Sequence, residues 1–161
     1  SSPTQEGFVL DLAHHHLGDN KDQNLTPPSP EGITYTKTFT LKQIGEALYI
    51  GEATLNITTK NVVATDAFGK GEYYDYVYIN GFNIGKLNDY VTIEGQDYTP
   101  RTTRLPIDSS VLHTERNIIE IKAGSNANKT NYDDFEFYDL RIEISGKPRP
   151  VLIPSPPPPL R

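Results

Sequence analysis

The chain has 161 residues, a formal charge of −6, no cysteine and no tryptophan. The length suits one domain with flexible ends. The charge argues against a nucleic-acid partner, because neutralising phosphates needs a concentrated basic patch and the lysines here are scattered. Lack of cysteine removes disulfides, thiolate chemistry and cysteine zinc sites, and no apolar run approaches the roughly 20 residues of a membrane span.

There is no initial Met and no visible signal peptide, so the chain reads as an excised domain or mature fragment. Residues 1–6 are expected to be disordered, and residues 7–13 (GFVLDLA) form a short apolar strand. Residues 14–31 are polar and proline-rich, which predicts a long loop wrapping the body. His14, His15 and His16 fall in it beside Gly18-Asp19-Asn20 and read as a solvated surface run. From Ile33 the period-2 pattern is steady, with Tyr35, Phe39 and Leu41 on one face and threonines on the other.

The next strand spans 47–59, and its apolar phase slips by one residue near Gly51-Glu52, the mark of a β-bulge. The segment 73–87, YYDYVYINGFNIGKL, alternates into Asn80-Gly81 and descends again. Asn-Gly between alternating runs is the strongest short-range hairpin signal, because both turn residues must tolerate positive φ. The hairpin places Tyr74, Tyr76 and Tyr78 on one face, with Val77 and Ile79 on the other. The tyrosines could floor a groove, or simply brace the sheet by cross-strand contact.

In TTRLPID, Leu105 and Ile107 point inward, and Pro106 assigns the strand to a sheet edge or an irregularity. Asp108 caps a single helical turn. A strand at 117–123 and another at 134–144 follow, the second slipping phase near Tyr138. No useful helical period appears, so the class is all-β, an antiparallel β-sandwich. The expected organisation is an N-terminal strand with wrapping loop (1–31), the sandwich (32–147), and a tail (148–161). The tail's IPSPPPPLR run predicts a polyproline II spacer that tethers the chain to other domains.

If successive strands alternate direction, the loops 58–73, 88–100 and 124–133 share one end. Loops on a rigid scaffold concentrate recognition residues. Tyr73, Tyr90, Tyr98 and Tyr132 offer flat apolar faces for a sugar ring, and Asn88, Asn128 and Asn131 suit its hydroxyls. Arg101 and Arg104, at the foot of that end, could serve an acidic sugar. His113 stands at the opposite end. No nucleophile-elbow, histidine-metal or phosphate-loop pattern occurs, so no enzymatic activity is expected.

The succession ITYTKTFTL, ALYI, YVYINGFNIGKL, TTRLPIDSSVLHTERNIIEIKA and DDFEFYDLRIEI resembles the strand order of galactose-binding-like jelly rolls. The resemblance covers about Ile33 to Ser145. It implies a jelly-roll sandwich acting as a non-catalytic carbohydrate-binding module of an extracellular or cell-surface protein, with a glycan as partner. It also implies a calcium ion near Asp133-Asp134. Asp66 and Asp89, with Asp133 and Asp134, are the carboxylates that could hold it. The alternative is a structural or protein-interaction domain of a larger surface assembly.

Overall fold

The computed structural model describes residues 4–41, 48–65, 71–91, 96–148 and 157–160. Among the described residues nine strands form two antiparallel sheets: β1 (Thr4–Asp11), β2 (His15–Leu17), β3 (Thr34–Phe39), β4 (Leu48–Lys60), β5 (Tyr76–Ile79), β6 (Phe82–Lys86), β7 (Arg101–Ile107), β8 (Asn117–Lys122) and β9 (Phe135–Pro148). The first sheet runs β1-β9-β4-β7, with β2 also paired to β9, and the second runs β3-β8-β5-β6. Short 3-10 turns at Leu87–Tyr90 and Ser109–Val111 interrupt the connections. The all-β sandwich is thus the observed architecture.

Alternation in the sequence becomes the core. Leu55, Ile57, Leu105, Ile142, Phe135 and Phe137 from the first sheet meet Tyr35, Val77, Ile79, Ile119 and Ile121 from the second, all buried. Each such side chain contributes about 1.5–3 kcal/mol by leaving water.

The phase slips are real irregularities. Register shifts lie between Ile50 and Glu52 and again between Asn56 and Thr58 of β4, opposite Tyr138 and Arg141 of β9. At the second shift Asp139 takes φ 53°. The hairpin turn closes with Asn80 at φ 52° and Gly81 at φ 82°. Strand β7 is a sheet edge, so Pro106 forfeits no ladder bond on its open side. Asp108 accepts from the Ser110 N–H at 3.0 Å, as a cap should.

Residues 4–31 are not an appendage. β1 pairs with β9 from Thr4↔Gly146 to Asp11↔Leu140, and β2 pairs His15↔Phe137 to Leu17↔Phe135. The histidines also depart from expectation. His16 is fully buried, and His14, His15 and His16 each meet carboxylates at 2.6–2.8 Å. The polar turn signal at Gly18-Asp19-Asn20 applies only after β2 has ended. Of the proline tail, only 157–160 are described, as exposed irregular chain, and the expected spacer otherwise lies outside the described residues.

Strand direction sorts the connectors. β4 ends beside the starts of β7 and β9 (Thr59↔Arg101, Lys60↔Glu136), and β8 ends beside the start of β3 (Thr34↔Lys122). Connectors 61–75, 87–100 and 123–134 therefore all cross between sheets at one pole, as the sequence parity predicts. Residues 18–33 cross there as well.

Candidate functional site

At this pole the connectors are bound to one another. The Asn61 N–H donates to the Asp97 carbonyl at 2.7 Å, and Asp97 N–H returns to Asn61 Oδ1 at 3.1 Å. Tyr73 N–H donates to Ser125 O, and Asp133 N–H donates to Gly124 O. Gly124 packs so closely on the Tyr73–Tyr74 backbone that a Cβ would overlap it.

Behind this packing lies a buried polar hub. Asn88 is fully buried, and its Nδ2 donates to Val63 O, Tyr73 O and Asp75 Oδ2 at 3.0 Å each. Its Oδ1 accepts from the Asp75 N–H at 2.6 Å. Asp75 Oδ1 accepts from Gly124 N–H at 2.7 Å, and Asp133 Oδ2 accepts from Val63 N–H at 3.3 Å. Burial pushes the Asp75 carboxyl up to about 6. Burial first, and then the neighbouring Asp75 charge, push Asp133 well above the usual carboxylate range.

In front of the hub an open cleft of about 470 Å³ is lined by Tyr73, Tyr74, Tyr76 and Tyr132, by the 123–125 backbone, and by Ile33, Thr34, Gly71, Lys122 and Lys129. Tyr73 holds φ 62°, which turns its ring into the cleft's rim, and its hydroxyl accepts from Asn131 Nδ2 at 3.1 Å. Tyr74 and Tyr76 meet edge to face with centroids 6.0 Å apart. The Lys86 Nζ sits 4.0 Å from the Tyr74 ring centre, and the Lys122 Nζ 5.2 Å from that of Tyr78. The cleft thus offers tyrosine rings, one of them capped on a face by the Lys86 ammonium, and no carboxylate lines it among the described residues.

The structure brings together only some of the residues expected from the sequence. Tyr73 and Tyr132 line the cleft, with Asn131 bonded at its rim. Asn88 is excluded as a ligand-binding residue, because it is inaccessible and its amide is spent on the hub. Tyr90 is exposed on the 3-10 turn, outside the cleft lining. The Tyr98 hydroxyl reaches Asp22 Oδ2 at 2.7 Å, tying two connectors together. Asn128 accepts from Thr130 Oγ1 at 2.8 Å within its own loop.

Arg101 is paired with Asp97 at 2.8 Å. Arg104 is not at the foot of the pole. It lies within β7 opposite Asn56, on the solvent side of the first sheet, paired with Glu143 at 2.7 Å. Tyr74, Tyr76, Lys122 and Lys129 are missing from the residues expected at the loop end. The two tyrosines were legible as an exposed ladder, but nothing in the sequence joins that ladder to the loop pole.

Of the carboxylates expected to hold calcium, the three described ones form no ligand group. Asp66 lies outside the described residues. Asp89 is exposed and accepts from Thr65 Oγ1 at 2.7 Å. Asp133 is shut in with Asp75, and Asp134 is held by His16 Nε2 at 2.8 Å and by the Asn20 N–H. Among the described residues no group of three histidine or carboxylate side chains is placed to hold a metal ion. No described helix is long and apolar enough to cross a membrane.

No protein-family model and no curated protein matches the chain. Among solved structures it is similar to BpGH86A, a β-porphyranase of glycoside hydrolase family 86 from the human gut bacterium Bacteroides plebeius. The TM-score is 0.50 at 14% identity over 89% of this chain, which spans 20% of that one. A family 35 carbohydrate binding module from an environmental isolate matches with a TM-score of 0.43 at 15% identity, covering 87% of this chain and 96% of the module. The C-terminal domain of EclA, a sugar-binding protein, gives 0.40 at 14% identity, covering 88% of this chain and 79% of that one. At such identities the likeness to BpGH86A shows a shared fold, a β-sandwich occupying one fifth of a larger chain.

Proposed function

We propose that this chain is a non-catalytic carbohydrate-binding module whose ligand site is the tyrosine-lined cleft at the loop pole. The observation that carries the reading is the convergence of Tyr73, Tyr74, Tyr76 and Tyr132 around one open space of about 470 Å³. Tyrosine presents an apolar face to the C–H side of a sugar ring and a hydroxyl to its oxygens, at low entropic cost. The rings stand on a sheet and on connectors already locked by the Asn88 hub, so little ordering remains to be done on binding.

A binding role fits the chemistry better than hydrolysis. Glycosidases need two carboxyls facing one another across the scissile bond, about 5–9 Å apart. The described cleft lining contains none, and Asp75 and Asp133 lie behind its wall. Lys122 and Lys129 favour sugars bearing acidic substituents over neutral ones. Calcium assistance is not part of the proposal, since the described carboxylates form no ligand set. The similarity to a sandwich within a β-porphyranase supports a module that accompanies other domains in an extracellular or surface protein.

A glycan array probed with the intact chain, followed by calorimetry on the hits, tests this. Binding weakened by Tyr76→Ala and by Tyr132→Ala, with both variants folded, is the expected result. Silence across neutral and acidic plant, algal and animal glycans would overturn it.

A further inference from the structure

His15 lies outside the cleft and takes no part in the glycan reading, yet its surroundings are built around its charge. Its Nε2 faces Asp11 Oδ2 at 2.8 Å and its Nδ1 faces Glu31 Oε1 at 2.7 Å. Both nitrogens therefore meet acceptors, and satisfying both requires two N–H groups. The ring's other described contacts are aromatic. Tyr35 of β3 packs at 4.7 Å between ring centres and Phe137 of β9 stacks at 5.1 Å. The adjacent histidines turn elsewhere, His14 to Glu136 (which also faces Lys60) and His16 to Asp134 and the Pro27 carbonyl.

The two carboxylates are not equally anchored. Asp11 also accepts from the Tyr35 hydroxyl at 2.7 Å and from the Ala13 N–H at 2.9 Å, and its side chain is 14% exposed. Burial alone would raise the Asp11 carboxyl, but those hydrogen bonds outweigh it and hold it below the usual range. Glu31 is 42% exposed, and among the described residues only the His15 ring holds its side chain. If His15 loses a proton, the imidazole keeps N–H to Asp11 and turns a lone pair toward Glu31. Repulsion then falls on the contact that is free to open.

We infer that the His15–Glu31 pair is an acid-closed latch on the corner that joins β2 to β3. Histidine is the side chain whose charge responds to pH nearest neutrality, so the latch opens with rising pH once the ring gives up its second proton. The corner matters because it leads directly into the cleft rim: Ile33 and Thr34 follow Glu31 by two and three positions and both line the cleft. Glu31 N–H donates to His16 O and Gly18 N–H to Gly32 O, each at 2.9 Å. These two amides report on the corner without any ligand.

The test is amide hydrogen exchange of the whole chain from pH 5 to 8, corrected for intrinsic base catalysis, with ring ¹⁵N spectra to follow His15. Protection of the Glu31 and Gly18 amides should fall on the order of tenfold as His15 passes from two ring protons to one, the scale of one charge-assisted hydrogen bond. In Glu31→Gln the fall should vanish, because a neutral amide accepts from the charged ring and donates to the neutral one. Constant protection in the wild-type chain, or an equal fall in Glu31→Gln, would overturn the latch. Neither result depends on whether a glycan binds.

Discussion

The carboxyl groups of Asp75 and Asp133 are both buried behind the cleft wall, each close enough to perturb the other's titration. Two like charges so placed cannot both ionise cheaply. Folding therefore raises the affinity of the pair for protons. The consequence for stability has a definite sign, because the folded chain binds more protons than the unfolded one once the unfolded carboxyls ionise near pH 4.

Stability from this pair is present at acid pH and declines as pH rises above about 4, through the Asp75 value of about 6 and the raised range of Asp133. Asp133→Asn mimics the protonated acid: its amide can donate to Asp75 while its oxygen accepts from Val63. The variant should match the wild type near pH 4 and gain on it by about 1.4 kcal/mol for each pH unit above that, until Asp133 itself titrates. Urea midpoints across pH 4–7 measure this. Parallel curves would show that Asp133 carries no displaced proton.

Asn88 was expected to greet a ligand, and its burial gives the opposite expectation. Asn88→Ala removes three donated bonds and one accepted bond. The cost should be roughly 3 kcal/mol or more, since several buried backbone groups lose their partner together. Denaturant unfolding would show the loss in the absence of any sugar. A variant of unchanged stability but weakened binding would return Asn88 to the ligand.

Much of the scaffold was legible because strands obey a two-residue period. Val77, Ile79, Ile119 and Ile121 sit where alternation put them, and the slips at Gly51 and Tyr138 became register shifts. The site was less legible for a physical reason. Asn, Asp and Gly are favoured both in turns and at polyol sites, so composition could not say which amides face inward. Asn88 was misread on that account, whereas Arg104 was placed at the pole although it lies three residues into β7, opposite Asn56. The histidine run was misread because partners such as Glu136 lie 122 residues away, beyond any local pattern.

The tyrosine ladder divides cleanly along the sheet. Tyr76 lines the cleft, whereas Tyr78 pairs with Asn83 and Glu120 one step further from the pole and is absent from the lining. Tyr76→Ala should weaken glycan affinity by about tenfold, a loss comparable with one stacked ring. Tyr78→Ala should leave affinity within twofold while giving up a cross-strand contact worth about 0.2–1 kcal/mol. Calorimetry on both variants decides between a groove floor and a bracing ladder. Equal losses would extend the site down the sheet.

Asn80 shows a turn residue with a second duty. Its Nδ2 donates to Val111 O at 2.7 Å and to Asn117 Oδ1 at 2.9 Å, and its Oδ1 accepts from Ile118 N–H at 2.9 Å. Asn80→Gly keeps a residue that tolerates φ 52° but removes all three bonds. The expected cost is on the order of 2–3 kcal/mol in chemical denaturation. A near-neutral variant would mean that backbone conformation alone had selected Asn.

Three glycines separate backbone freedom from close approach. Gly7 lies in β1 with nothing within 4 Å of an added Cβ, so Gly7→Ala should be neutral or stabilise by up to about 1 kcal/mol through the unfolded chain. Gly81 also has open space, but its φ of 82° makes Gly81→Ala destabilising by about 1 kcal/mol. At Gly124 an added Cβ overlaps the Tyr73 carbonyl carbon and the Tyr74 backbone nitrogen and oxygen. Backbone cannot rotate aside as a flexible side chain can, so Gly124→Ala should cost about 3 kcal/mol, the upper end for overpacking. It should also displace Tyr73 and Tyr74 at the cleft, so binding falls even where the variant stays folded. Thermal melts of the three variants, with calorimetry on the third, would test the order. Were Gly124→Ala as mild as Gly81→Ala, the packing between the two connectors would be looser than the structure shows, and the cleft wall with it.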